Sequence, residues 1–219
     1  MPKFVLKSLA AVSAAALLFV GAPGDAHAAK FLKLGYAVAE GNAYDTFAKE
    51  FKKNIEKLTN GEIKVRNFCC FKMGGEQEMF KKLQLGTLDG TIIAQNNAGP
   101  FYPKIDLLVL PYMLQNYEHA VKVVDGPVGQ MIWKDMPKEA GVHLVSIAVI
   151  SFRHIYNSKQ AINSIEDFAP LKYRVPKNVV MVDTYKAFGS DPVPLAWSET
   201  LTAVQTGTVD GGDLPIDVI

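Results

Sequence analysis

The sequence lacks a G-x-G-x-x-G after any strand-like run and lacks G-x-x-x-x-G-K-[ST], so neither a dinucleotide nor a nucleotide phosphate has its glycine cradle. Its histidines, His27, His119, His143 and His154, fall at no metal-ligand spacing such as H-E-x-x-H, and each reads as a structural residue. There is no G-x-S-x-G elbow, and Ser190 in FGSDP reads as loop after a helix cap. Charge of one sign is missing too. With 23 Lys and Arg against 22 Asp and Glu, the net charge is +1, which argues against a nucleic-acid partner, since that would need a basic face or stripe. No cofactor, metal or catalytic activity is expected. Cysteine is limited to the adjacent pair Cys69 and Cys70. Neighbours in a strand point to opposite faces, so the pair reads as two unpaired small core residues; a reactive thiol would need a nearby base, and no signal supplies one.

What is present starts with a leader. Lys3 and Lys7 precede an apolar run from Ser8 to Val20, and Ala26-His27-Ala28 supplies small residues for cleavage after Ala28. The run is too short to span a bilayer, so residues 1–28 read as a secretory signal peptide and the rest as an exported chain. Nothing after residue 28 is long and apolar enough to cross a membrane.

The chain then alternates strand and helix signals. FLKLGYAV reads as a strand, and Asn42 with Asp45 resembles a capping box opening a helix with Phe47, Phe51, Ile55 and Leu58 on one side. EIKVRNF alternates like a half-buried strand, GEQEMFKKLQLG reads as a helix closed by Gly86, and LDGTIIA as a buried strand. Asn116 caps one helix carrying Ala120, Val123, Val124, Met131 and Ile132, and VHLVSIAVI reads as a further strand. After residue 150 the pattern restarts with SFRHIYN, a short turn capped by Ser164 and Asp167, LKYRV, a helix from Asn178 to Phe188, PVPL, and SETLTAVQTGTVDGG. LQLGTLDG at 83–90 and VQTGTVDG at 204–211 share a helix end, a glycine stop and a strand start. Two similar α/β lobes with mostly parallel sheets follow, 29–150 and 151–219, with a cleft between them at the carboxyl ends of strands.

In LKYRVP, period two sets Leu171, Tyr173 and Val175 on one face and Lys172 and Arg174 on the other, with Arg174 at the strand's carboxyl end. An arginine so placed either pairs with a surface carboxylate or anchors a ligand.

Longer stretches of the chain choose between those readings through a resemblance. GGEQEMFKKLQLGTLDG, FYPKIDLLVLPYM, YEHAVKVVDGPVGQ, FRHIYNSKQAINSIEDFAPLKYRVP and AFGSDPVPLAWSETLTAVQTGTVDG resemble the substrate-binding proteins of tripartite ATP-independent periplasmic (TRAP) transporters, the DctP family, over nearly all of the chain after the leader. That resemblance implies a two-lobed Venus-flytrap fold that captures a small organic acid in the periplasm, as a monomer without catalysis, and delivers it to the membrane subunits of a permease. It puts Arg174 at the anchor for the ligand carboxylate and Arg153 at a second arginine. Trp197 falls on an aromatic wall, with lobe packing as the alternative, and Tyr36, Glu76, Gln95 and Asn96 at cleft-facing positions. Two segments depart from the family pattern: VDGGDLP carries Leu214 where some relatives have asparagine, and CCFKMGG replaces P-S-x-x-L-G. Leu214 and Trp197 tilt the expected ligand toward an apolar or aromatic body. Relatives continue past Ile219, so the expected fold lacks its C-terminal part. The competing readings are a truncated fragment that binds nothing and an exported thiol enzyme using Cys69 or Cys70.

Overall fold

The computed structural model describes residues 29–216; the signal peptide and its cleavage site lie outside them. The order is β1 (Lys30–Tyr36), α1 (Ala43–Leu58), β2 (Ile63–Phe68), α2 (Glu76–Gln84), β3 (Gly90–Ile92) and α3 (Gln95–Ala98). A 3-10 turn at Pro103–Leu108 leads to α4 (Tyr117–Asp125) and α5 (Pro127–Glu139). Then follow β4 (Arg153–Asn157), a 3-10 turn at Ile165–Phe168, β5 (Lys172–Val175), α6 (Val179–Ala187), β6 (Asp191–Pro194), α7 (Trp197–Gln205) and β7 (Gly211–Pro215). Among the described residues no helix is long and apolar enough to cross a membrane.

Two sheets result, one ordered β2-β1-β3 and one β4-β7-β5-β6. Every pairing is parallel except β4 with β7. The expected α/β alternation produces this, because a strand followed by a helix returns to the same sheet in the same direction. Separate cores form around each sheet. Leu34, Tyr36, Ala48 and Val65 fill the space between the first sheet and α1. Phe168, Tyr173, Val175, Met181 and Tyr185 pack the second sheet against α6. A third cluster, including Phe80, Tyr102, Ile105 and Ile132, joins α2, the Pro103 turn and α5.

The repeated octapeptide makes the same turn twice. α2 stops at Gly86 and α7 at Gly207, both with φ +69°, where a side chain would be strained. Leu88 and Val209 are then buried at equivalent places. Asp89 accepts the Lys33 amide of β1 at 2.8 Å, and Asp210 accepts the Lys172 amide of β5 at 2.9 Å. In each half the aspartate ties the incoming strand to its parallel neighbour.

Three expectations fail. The helix expected after Asn116 is two helices: Asn116 caps α4 through His119 N, but Gly126 is extended and Pro127, with no amide hydrogen to continue α4, starts α5. VHLVSIAVI is not a strand. Val142, Leu144 and Ile147 do pack on a core while Val145 is exposed, but the segment pairs with no strand among the described residues. Alternation seats a segment against a core; a strand also needs a hydrogen-bonded neighbour. Cys69 and Cys70 are joined by a disulfide rather than unpaired. β2 ends at Phe68, and Cys70 and Phe71 both take φ +60°, so the turn brings two sulfurs together that a strand would hold apart. The two thiols expected to be unpaired are thus joined to each other.

Candidate functional site: a buried arginine between the two sheets

Arg174 is 4 % exposed in β5. Its Nε and Nη2 donate to the Leu195 carbonyl at 3.0 and 2.7 Å, which fixes the plane of the guanidinium and leaves its remaining donors free for another acceptor. The Trp197 ring lies 5.7 Å from Cζ, within reach of a cation–π contact. No carboxylate among the described residues forms an ion pair with it. Burial, reinforced by the charge of Arg153, pulls its pKa down to about 10. A buried cation so depressed is stabilised by any anion that can reach it.

Register decides which residues share its face. Arg174 pairs with Gly212 in β7, and Gly212 pairs with Tyr156 in β4. Paired residues share a side, and the side alternates along each strand. Arg174, Tyr156 and Leu214 therefore lie on one face of the second sheet. A Cβ at Gly212 would sit 2.8 Å from the Tyr156 hydroxyl oxygen, so this glycine makes room for Tyr156 to lean across β7.

Arg153 lies on the opposite face. Its Nε and Nη2 hold both Asp213 carboxylate oxygens, at 2.6 and 3.2 Å, and Nη2 also bonds the Asp213 carbonyl at 2.7 Å. The two arginines feel each other's charge, but only Arg174 is without a carboxylate partner. Asp213 was not visible as a site residue in the sequence; its relation to Arg153 comes from antiparallel pairing across a long separation.

From the first sheet, Glu76 opens α2 and accepts bonds from Asn97 Nδ2 and, at 3.4 Å, from Ala94 N. Burial raises its pKa to about 7, against these bonds and the charges of Arg153 and Arg174. Asn96 is 2 % exposed and its Nδ2 has no partner among the described residues. Gln95 begins α3 beside it, half-buried. Trp197 packs on the core of the first sheet although it belongs to α7, so its ring spans the two halves. Tyr36 is buried and donates to Asp45 Oδ1 at 2.7 Å; Asp45 also accepts from Gly41 N and Lys49. Its hydroxyl is thus already committed to the first turn of α1. The structure accordingly gathers Arg174, Trp197, Leu214 and Tyr156 at the second sheet, with Glu76 near enough to sense both arginines. Two surface grooves, of about 390 and 320 Å³, lie along α6 and include neither Arg174 nor Trp197.

Residues 34–219 match DctP, the bacterial extracellular solute-binding protein family 7. A solute-binding protein of Verminephrobacter eiseniae is 38 % identical over 82 % of this chain and 52 % of its own length. The sialic acid-binding periplasmic protein SiaP of Vibrio cholerae is 29 % identical over 93 % of this chain and 63 % of its own. Among solved structures, a TRAP periplasmic solute-binding protein from Polaromonas bound to D-erythronate superposes with TM-score 0.80 at 38 % identity, covering 87 % of this chain and 62 % of that one. One from Roseobacter denitrificans with L-galactonate gives TM-score 0.82 at 33 % identity, covering 87 % and 63 %. The chain thus spans between half and two thirds of these relatives' lengths.

Proposed function

Because the chain belongs to the DctP family of bacterial extracellular solute-binding proteins, we propose that it is the receptor of a TRAP transporter, binding a small organic acid through Arg174. The observation that carries this reading is the buried guanidinium with no carboxylate of its own, held in plane by Leu195 and flanked by Trp197. A planar fork matches both oxygens of a carboxylate, and charge-assisted hydrogen bonds are the strong ones. Arg153 supports from behind: paired with Asp213 on the opposite face of the sheet, it adds positive potential there. Glu76, Gln95 and Asn96 line the opposing side, and Tyr36 acts indirectly by holding α1. The lobes are residues 29–150 and 151–219, and cleavage after Ala28 would release the chain into the periplasm as a monomer. It binds without catalysing a reaction and hands its cargo to the membrane subunits of the permease.

Leu214 shares the face of Arg174, so the body of the acid meets an aliphatic wall there. An acid with a branched apolar body is then favoured over a fully hydroxylated one. Relatives of both kinds exist: a Bordetella homologue has density assigned to pantoate, and the Roseobacter one holds L-galactonate. Calorimetry with pantoate, D-erythronate, L-galactonate and succinate tests the reading. Wild type should bind at least one of them, and Arg174→Lys should weaken that binding about tenfold or more, since the lysine lacks the fork. Binding of none, or equal affinity in the lysine variant, would remove the proposal. Leu214→Asn should move preference toward the hydroxylated acids by about 1–3 kcal/mol, the cost of an unpaired buried amide against an apolar body; an unchanged ranking would show that Leu214 does not touch the ligand.

A further inference from the structure

Asn178 joins the two halves of the molecule through its amide nitrogen while its amide oxygen caps α6. Its Oδ1 caps α6 by accepting from Met181 N at 3.1 Å. Its Nδ2 donates to the Asn96 carbonyl at 3.0 Å and to Asp106 Oδ1 at 2.7 Å. Both acceptors are far away in the sequence and belong to the other half: Asp106 lies between Ile105 and Leu108 of the Phe80 cluster, whereas Val175 and Met181 beside Asn178 belong to the core of the second sheet. Asn178, Asn96 and Asp106 are all buried. Gly99 leaves the space in which they meet, because a Cβ there would overlap Asp106 Oδ1 and sit 2.6 Å from Asn178 Nδ2. One residue earlier, the Lys177 carbonyl accepts from Gln77 Nε2 at 2.8 Å.

The position in the chain gives these bonds their consequence. Arg174 is the next-to-last residue of β5, Val175 ends that strand, Pro176 and Lys177 follow, and Asn178 caps α6. Gln77 in turn follows Glu76. The segment carrying the arginine is therefore fastened to the segment carrying Glu76 and Asn96 by contacts that exist only when the halves are together.

We propose that Asn178 is the closing latch of this receptor: its Nδ2, bound to Asp106 and the Asn96 carbonyl, holds the two lobes shut over Arg174. Latching rests on the receptor reading for its purpose but not for its mechanics. In an open form Asn178 Nδ2 and the Asp106 carboxylate return to water, so opening remains reversible. In the closed form the bond between the largely buried Asn178 and Asp106 side chains favours closure even without ligand, and a ligand then needs to supply less of the closing free energy.

The test reads lobe separation in the ligand-free full chain. Spin labels carried on non-canonical residues at the exposed Lys57 of α1 and Lys186 of α6 report the distance by double electron–electron resonance. Asn178→Asp keeps a good cap for α6 but turns a donor into a carboxylate facing Asp106. It should lower the closed fraction about tenfold or more and lengthen the distance. Adding Asp106→Asn to that variant, which restores a donor–acceptor pair, should recover part of the short distance. Gly99→Ala, whose methyl group would crowd Asp106 Oδ1 and Asn178 Nδ2 while leaving the sequence of α6 unchanged, should open the seam, and decides the matter if the aspartate variant fails to fold by circular dichroism. A wild-type distance distribution in the folded Asn178→Asp protein, or in Gly99→Ala, would overturn the latch, as would a double variant no more closed than the single. Because no ligand enters these measurements, failure of wild type to bind any acid in calorimetry would sink the receptor reading while leaving the latch result intact.

Discussion

Glu76 is a carboxyl group whose surroundings favour its neutral form. Its folded-state pKa of about 7 exceeds its ordinary 4.5. For a raised carboxyl the favourable contribution to stability is complete below 4.5 and is lost as pH rises through about 7. Thermal midpoints measured from pH 4 to 8 should therefore fall with rising pH more steeply in wild type than in Glu76→Gln, with the difference accumulating between those two values; parallel curves would mean that Glu76 ionises normally. Asp213 is instead held against a cation, Arg153. Its side chain is 7 % exposed and that of Arg153 25 %. Removing one partner leaves the other cation desolvated, so Asp213→Asn should cost about 3 kcal/mol in urea unfolding, the low end for a buried pair because Arg153 keeps some solvent. A loss no larger than that of an exposed ion pair would show that water screens the interaction.

At the scale of elements, the two halves depend on the same turn. Gly86 and Gly207 share φ +69° with open space where a Cβ would go, so an added methyl group meets no clash and only the left-handed backbone penalises it. Gly86→Ala and Gly207→Ala should each destabilise by about 1 kcal/mol, and by similar amounts. Chemical denaturation measures both, and a variant as stable as wild type would show that its turn tolerates a side chain there. The α4–α5 break teaches a related point about helices. Apolar spacing from Ala120 to Ile132 runs through Gly126-Pro127 without interruption, because it records which face is buried and is silent about where the backbone hydrogen bonds stop.

For the molecule as a whole, residues 142–150 are the test of what burial alone can do. They seat Val142, Leu144 and Ile147 in one core and Ile150 in another, yet their amides enter no ladder. Hydrogen exchange should therefore be fast across this segment compared with β1, whose amides are paired on both sides by β2 and β3. Protection equal to that of β1 would mean the segment pairs in solution. The same comparison indicates how the halves are joined: Trp197, Gln77 and Asn178 cross between separate cores, so the halves are linked through side chains as well as through the connecting backbone.

Local chemistry settled much of this protein in the sequence itself. Caps at Asn42, Asn116 and Ser164, glycine stops at Gly86 and Gly207, and strand–helix alternation specified nearly every element and a mostly parallel α/β fold, since each signal acts over a few residues. At Arg174 the strand pattern left two readings open, a surface ion pair or a ligand anchor, and the resemblance over longer stretches chose between them; its burial without a carboxylate partner became visible only in the fold. Tertiary structure alone decided what needs a distant partner. The register of β7 put Leu214 on the face of Arg174 and gave Arg153 to Asp213 on the other. It also brought Asn178 against Asp106, and left VHLVSIAVI without a neighbour. Hydrogen bonds between residues dozens of positions apart leave no period in the chain, and so no sequence pattern could announce them.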